Sequence, residues 1–343
     1  MTPAPHVSVI IPCRNEAKYI GACLDSLLAN DYPKERLEIL VGDGMSDDGT
    51  RGVIKRYADV HSFIHLFDNP RRVTPTALNL GVTRARGSAI VIMGAHAAYP
   101  ANYISELVTW LQRSGADAVG GRCVARLGVE TVGARAIATA VSHPFGVGNS
   151  HFRTGVAGPR WVDTVPFACY RRDVFDRVGL FDEELVRDQD DEFNQRILRH
   201  GGRLLLVPEV ASEYFARESL GKLWRMFFQY GYFKPLVVRK VRGVLTARQL
   251  APGLLVATLT VAALLAPWLG VARWLFTIAL GGYAAAALFA AGAIARRTGW
   301  RVGLAASAVF PVLHASYGLG YLLGVFDFLI RGKRPAPAVS LSR

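Results

Sequence analysis

Cysteine is scarce: the 343 residues hold four, and Cys13, Cys23, Cys123 and Cys169 stand too far apart for any CxxC or similar metal spacing. This excludes a disulfide-stapled scaffold and a cysteine-held zinc site, and the four read as small buried apolar residues in a reducing compartment. No Gly-x-Gly-x-x-Gly is completed, because Asp47 stands where the third glycine would follow Gly42 and Gly44, and no Gly-Lys-Ser/Thr occurs. Hydride transfer on a dinucleotide fold and ATP hydrolysis on a phosphate loop both lose their marker. Acid is in deficit, with 27 Asp plus Glu against 40 Lys plus Arg for a net charge of +13. Residues Met1–His6 carry no basic stretch and the apolar run Val7–Ile11 stops at Pro12. No secretory leader is therefore expected, and the first two-thirds of the chain should stay in the cytosol.

What is present is apolar and alternating. A 51% hydrophobic content excludes disorder as the main state. Over the first 210 residues, short β-branched runs alternate with helical patterns, the sign of an α/β domain. Strands are expected at Val7–Ile11, Glu38–Gly42, Ala89–Met93, from Ala116 and at Arg203–Val207, the last ended by Pro208. Helices are expected at Ala17–Leu28, Arg51–Ala58, Thr74 to about Ala85 with Thr74 as cap, Tyr103–Ser114 and Asp188–His200. Leu127–Val162 is Gly-rich and weakly periodic, and reads as loops and a helix over the site.

From Leu250 onward Ala, Leu, Val, Gly and aromatics dominate, and three stretches (250–270, 274–294 and 302–330) meet the roughly 20-residue requirement for crossing a bilayer. Before them, residues 219–248 mix Trp224, Phe227, Phe228, Tyr230, Tyr232 and Phe233 with Lys222, Arg225, Lys234, Arg239 and Lys240, as an amphipathic helix at a bilayer surface would. The expected organisation is a cytosolic domain over 1–218, an interfacial segment over 219–248, a transmembrane region over 249–331 and a tail over 332–343. Basic residues flank the apolar third and form no separate stripe, which argues against nucleic acid as the partner. Arg296, Arg297 and Arg301 fit a cytosolic loop, but three crossings would put Arg331, Lys333 and Arg334 outside. The third stretch is accordingly expected to re-enter or to break at Pro311, with His314 and Asp327 facing protein or the interface.

An ordered series of motifs then carries a family resemblance. Residues 7–16 (VSVIIPCRNE), 41–50 (VGDGMSDDGT), 76–87 (TALNLGVTRARG), 143–153 (HPFGVGNSHFR), 162–172 (VDTVPFACYRR), 179–196 (GLFDEELVRDQDDEFNQR) and 227–231 (FFQYG) resemble the inverting family 2 glycosyltransferases, near the succinoglycan-type exopolysaccharide glucosyltransferases. The resemblance implies an α/β GT-A fold, a nucleotide-sugar-binding domain with a mostly parallel mixed sheet, followed by the interface helix and the membrane helices.

It also implies roles. Pro12, Asn15 and Glu16 would wall the base, and Asp43, at a strand end, would accept the N3–H of uracil; a turn-initiating Asp-Gly pair is the structural alternative. Arg72 and Asn79 would lie near the nucleotide, with Arg71 beside them, although a solvated basic surface also accounts for the arginines. Family members place Asp-x-Asp or Asp-x-His after the strand ending at Met93, to chelate a divalent ion on the diphosphate. Here the triplet is Gly94, Ala95 and His96, which would put Ala95 at the nucleotide sugar and leaves His96 as the metal ligand, suited to Mn2+ over Mg2+, or as a hydrogen-bonded residue under the nucleotide.

Asp190 is the expected catalytic base. Asp188 and Asp191 are read as the cap and capping box of its helix, which leaves Asp190 free to take the acceptor proton; an acidic helix start with no chemistry is the alternative. Gln189, Asn149, Arg153 and Gln229 fall on the acceptor side, and Tyr232 and Phe233 replace the Arg-Trp of processive members, which implies one sugar per acceptor. The reading is a hexosyltransferase, glucose by resemblance, at the cytoplasmic membrane. It would use a UDP-sugar donor and a polyprenyl-diphosphate-linked saccharide acceptor, among other polysaccharide-assembly proteins. A catalytically silent membrane scaffold is the competing reading, motivated by Gly94.

Overall fold

The computed structural model of the chain describes residues 4–243 and 246–334. The expected tail beyond residue 334, and positions 244 and 245 of the expected interfacial segment, lie outside the described residues. Two compact units form: one holds the chain up to Val124 together with Gly155–Tyr214, the other Ala125–Thr154 and Phe215–Arg334.

The first unit is built on Val7–Cys13 (β1), Leu37–Asp43 (β2), Ile64–Asp68 (β3), Ala89–Ile92 (β4), Ala97–Ala98 (β5), Ala118–Arg126 (β6), Arg160–Val162 (β7), Cys169–Arg171 (β8) and Leu204–Phe215 (β9). They form one sheet in the order β3-β2-β1-β4-β8-β6-β9-β5, with β7 on β9. β2 and β4 flank β1, and β3 flanks β2, all parallel. β8 then runs antiparallel to both β4 and β6. β1, β2 and β4 are covered on both faces, which is why they read as near-continuous apolar runs, whereas β3 at the edge alternates, with His65 and Asp68 exposed.

Helices supply that cover through 3.6-residue stripes. Ile20–Leu28 buries Ile20, Cys23, Leu24 and Leu27, and Tyr103–Ser114 buries Tyr103, Ile104, Leu107, Val108 and Leu111. Three expected boundaries move. The first helix starts at Ile20 instead of Ala17. Thr74 lies inside its helix, whose cap position is Val73 with no side-chain cap. β9 continues through Pro208, which lies outside the residues that pair with β7 and β5.

The second unit is helical: Val132–Ala140, two single turns at Pro144–Val147 and His151–Thr154, then Leu220–Val241, Ala247–Leu265, Gly270–Thr298 and Trp300–Gly324, the last continued as a π-helical turn over Val325–Ile330. Among the described residues three helices are long and apolar enough to cross a membrane: Ala247–Leu265, Gly270–Thr298 and Trp300–Ile330. The expected break at Pro311 does not occur, since the helix runs through it. His314 and Asp327 are buried as expected: His314 Nδ1 meets the Tyr283 hydroxyl at 2.9 Å, and Asp327 accepts from Tyr232 at 2.7 Å and Lys333 at 3.0 Å.

Candidate functional site

The carboxyl ends of β1, β2, β3 and β4 share one edge of the sheet, and the chain order reverses between β1 and β4. Open α/β sheets bind ligands at that switch point. Backbone strain collects there. Of six described non-glycine residues with positive φ, Asn15 (54°), Met45 (57°) and Arg72 (59°) follow β1, β2 and β3, Phe167 (45°) precedes β8 beside the end of β4, and Asp188 (58°) heads the helix Gln189–Arg199. Such conformations persist only where the surroundings over-determine them.

Hydrogen bonds sew the loops after β1 and β2 together. The Asn15 N–H donates to Ser46 Oγ (2.8 Å), the Glu16 N–H to Thr50 Oγ1 (2.8 Å), the Ala17 N–H to Asp48 Oδ2 (3.1 Å), and the Asp47 N–H to Asn15 Oδ1 (3.2 Å). Asp48 also receives Thr50 N–H (3.0 Å) and Oγ1 (2.5 Å). Its desolvation works against ionisation, yet the hydrogen bonds from Thr50 and Ala17 prevail and hold the carboxyl below its ordinary range.

Asp43 is completely buried. Its Oδ2 accepts from Ser46 N–H (3.0 Å) and Arg51 Nη1 (2.7 Å), and its Oδ1 from the Ser46 hydroxyl (2.5 Å). Arg51 also reaches Asp68 at 2.8 Å, bridging the ends of β2 and β3. A carboxylate has about four acceptor positions, so the bond expected from a base would be its fourth. The turn-forming contacts therefore leave one acceptor position on this side chain.

After β4, His96 Nδ1 lies 3.7 Å from Oε1 of buried Glu16, and Ala95, next to His96 in sequence, is buried. Gly94 is enclosed: its N–H donates to the Tyr99 hydroxyl (2.6 Å), and a Cβ there would come within 2.9 Å of the Phe167 ring. An acid side chain at this position would have to displace that ring. Among the described residues no group of three or more His, Cys, Asp or Glu side chains gathers to hold a metal. The donors available are His96 and Glu16. Divalent ions on nucleotides commonly take only one or two protein ligands and the rest from phosphate and water, so this pair fits a substrate-shared ion and does not form a closed protein cage.

Asn79, expected near the nucleotide, is engaged within the protein. It is buried, its Oδ1 accepts from Phe181 N–H (2.9 Å), and its Nδ2 donates to Phe181 O (2.9 Å) and Glu183 Oε1 (3.1 Å). Arg71 pairs with the other oxygen of Glu183. Arg72 is exposed. Asn79 thus secures the segment leading into the helix Gln189–Arg199. Within that helix, Asn194 Nδ2 donates to Thr164 Oγ1 (2.9 Å) and Val165 O (3.0 Å), and Gln195 Nε2 to Asp163 O (3.2 Å). The helix that carries Asp190 is held from both sides.

The four acids at its start are now distinguishable. Asp188 occupies the cap position, but its left-handed backbone makes no side-chain cap, so the expected capping box is absent. Glu192 is buried and bound by Arg196 through two 2.8 Å contacts, and Asp191 is buried. Asp190 alone of the four is exposed, with Gln189 half-buried before it. Burial pushes the Tyr170 hydroxyl far above its ordinary range and the Asp190 charge adds to this, which sets Asp190 within electrostatic reach of β8. A solvent-exposed carboxylate on a fixed helix is accessible to a hydroxyl from a separate molecule.

Asn149, Arg153 and Gln229 belong to the second unit. Asn149 accepts from Arg248 through its backbone O (3.3 Å) and Oδ1 (3.1 Å), Arg153 covers the Phe152 ring at 5.3 Å, and Gln229 is half-buried on Leu220–Val241. Sequence reasoning missed Arg51, Asp68, Phe167 and Glu183. Arg51 had a signal in its place at the start of the helix after the Asp43 turn; the others join the site only through tertiary contacts.

A family model described as Glycosyl transferase family 2 matches residues 8–179. The succinoglycan biosynthesis protein ExoA of Rhizobium meliloti (strain 1021) is 30% identical over 326 residues, 93% of this chain and 95% of that protein. A dolichyl N-acetyl-alpha-D-glucosaminyl phosphate 3-beta-D-2,3-diacetamido-2,3-dideoxy-beta-D-glucuronosyltransferase of Methanococcus voltae is 32% identical over 242 residues, 68% of this chain and 74% of that one. Among solved structures, the mannosyltransferase PcManGT from Pyrobaculum calidifontis in complex with GDP-Man and Mn2+ superposes with a TM-score of 0.59 at 24% identity, covering 93% of this chain and 88% of that chain. That likeness shows a shared fold, with the GT-A sheet followed by C-terminal helices.

Proposed function

The chain belongs to glycosyl transferase family 2, and from that premise we propose that it is an inverting hexosyltransferase of the cytoplasmic membrane, its catalytic unit facing the cytosol, that moves glucose from UDP-glucose to a polyprenyl-diphosphate-linked saccharide. The observation that carries this reading is Asp190, the one exposed acid of four on a helix start tied down by Asn79 on one side and Asn194 on the other. In the reaction, Asp190 takes the proton of the acceptor hydroxyl as that oxygen attacks the anomeric carbon and UDP leaves from the opposite face. One positioned carboxylate is enough for such a displacement.

On the donor side, Asp43 offers its remaining acceptor position to the uracil N3–H while Arg51 holds the carboxylate in place. Pro12, Asn15 and Glu16 wall the base, and exposed Arg72 is available to the diphosphate. His96 and Glu16 would hold a divalent ion, Mn2+ in preference to Mg2+, and when bound it supplies positive charge to the leaving diphosphate. Asn149, Arg153 and Gln229 are assigned to the lipid-linked acceptor. The named activities of the bacterial and archaeal relatives, succinoglycan biosynthesis and transfer to a dolichyl-phosphate-linked sugar, support the acceptor class.

The test is to incubate membranes containing the full chain with labelled UDP-hexoses and polyprenyl-diphosphate saccharides, with Mn2+, with Mg2+ and with chelator. Transfer from UDP-glucose that is lost on chelation is the expected result. Label moving only from a guanosine-diphosphate sugar would overturn the uridine donor. No transfer from any donor with metal present would favour the silent scaffold.

A further inference from the structure

We propose that Phe167 decides how the divalent ion enters the site: its ring fills the space that a first acidic ligand would need on Gly94, so that His96 and Glu16 are left to hold the ion and it binds only together with the donor diphosphate. The inference rests on the donor and metal reading above, and adds to it the residue that sets the ion's affinity.

Gly94 is pinned where it stands. Its N–H donates to the Tyr99 hydroxyl (2.6 Å), and its carbonyl accepts from the Ala97 N–H (3.3 Å) and from Cys23 Sγ (3.6 Å). The bond from Ala97 closes a four-residue turn, Gly94 to Ala97, and that turn carries His96. Just before it, the Met93 N–H donates to Ile10 O on β1 (3.0 Å). A Cβ on Gly94 would meet Phe167 Cε1 at 2.9 Å and Cζ at 3.2 Å, and the Tyr99 hydroxyl at 3.8 Å. The last is ordinary contact, whereas the first is closer than side chains tolerate. The ring is therefore the obstacle to an acid at this position, because the backbone cannot draw back from it.

The ring is held as well. Phe167 has a φ of 45°, a left-handed conformation that a bulky residue keeps only under constraint. The constraint is visible on both sides of it. The Tyr103 hydroxyl donates to Phe167 O (3.1 Å), and the Ile92 N–H donates to Ala168 O (3.0 Å), which fixes the approach to β8. Tyr99 meets the ring edge-on, with centroids 6.4 Å apart and planes at 89°. Phe167 is nonetheless only half-buried, so filling the core is a weak reason for its strained backbone. Occupying the place beside Gly94, at the edge where the chemistry is proposed, is a stronger one.

The consequence lies in charge. One imidazole and one carboxylate, 3.7 Å apart, offer a divalent ion little negative charge, and the affinity of such sites rises with the charge of their ligands. Among the described residues no third acid, histidine or cysteine gathers with them to make up the deficit. A nucleoside diphosphate brings that charge with it. The ion should accordingly bind weakly to the protein alone and far more tightly once the nucleotide is in place. An acid at position 94 would remove this dependence, provided that the ring were removed too.

The full-length chain in detergent is titrated with Mn2+, without and with UDP, and the free ion is read from its electron paramagnetic resonance signal, ion held by UDP in solution being subtracted. UDP should tighten Mn2+ binding at least ~10-fold; equally tight binding without UDP overturns the proposal. This titration needs no variant. Gly94→Asp, Phe167→Gly and the two together are then titrated without UDP, glycine being chosen at 167 because it accepts a φ of 45°. The double variant should bind Mn2+ at least ~10-fold more tightly than the unaltered chain, and each single variant within about twofold of it. Gly94→Asp alone matching the double variant, or a double variant no tighter than the unaltered chain, overturns the proposal. UDP binding with Mn2+ present, read on the same samples, keeps the two readings apart. Preserved UDP binding with no gain in the double variant overturns the role of Phe167 alone, whereas no UDP binding by any of the four proteins overturns the donor reading and this inference with it.

Discussion

Single side chains in the first unit divide by which edge of the sheet they serve. On the carboxyl edge, Asp43 has no exposed surface and depends on Arg51, whose own side chain is 30% exposed. Removing one member of a fully buried pair costs about 3–5 kcal/mol, and the water reaching Arg51 brings Arg51→Met down to about 2 kcal/mol. A lowered Tm together with weaker UDP binding is expected; a lowered Tm with unchanged UDP binding would detach Asp43 from the donor. On the amino edge, Glu38 receives Ser8 Oγ (2.5 Å), Arg86 N–H (2.6 Å) and Arg86 Nε (3.0 Å), joining β1, β2 and the approach to β4. Desolvation opposes its ionisation, but the hydrogen bonds from Ser8 and Arg86 outweigh it and lower the pKa from 4.5. A depressed folded pKa gives stability that is complete above 4.5 and drains as pH falls through the folded value. Glu38→Gln should therefore be less stable near neutral pH by about 1–3 kcal/mol and should show a shallower acid limb in a series of denaturant melts.

Elements carry the site by being fastened, and the fastening was the part least readable beforehand. Long periodic helices and the unbroken apolar strands were legible, because burial of a stripe or of both strand faces writes itself into residue spacing. β3, β7 and β8 were not, since Ile64–Asp68, Arg160–Val162 and Cys169–Arg171 are short and take their pairing from neighbours far along the chain. Asp43, Asp190 and His96 were proposed from motifs, whereas the contacts of Asn79 could not be read there, because its partners Phe181 and Glu183 lie 102 and 104 residues away. The segment Ala125–Thr154 packs with the C-terminal helices, a grouping its Gly-rich sequence does not announce. Asn79→Ala should loosen the segment before Gln189 and lower kcat about tenfold while donor Kd stays within about twofold, since small misplacement of a catalytic group is costly. If Kd rises and kcat holds, Asn79 acts on the nucleotide instead.

As a whole, the molecule joins a stapled α/β unit, whose open edge is the proposed site of the chemistry, to a helical unit with three helices long and apolar enough to cross a membrane among the described residues. The positive charge of +13 sits well with an anionic leaflet and with two phosphorylated substrates. Every step proposed for that edge leads to one carboxylate. The decisive measurement is the rate of sugar transfer by Asp190→Asn beside wild type, in the same membranes and at saturating UDP-sugar, with UDP affinity measured on both. A fall in kcat of about 10²–10⁴-fold with UDP affinity unchanged is predicted. Transfer by Asp190→Asn at the wild-type rate would contradict the account.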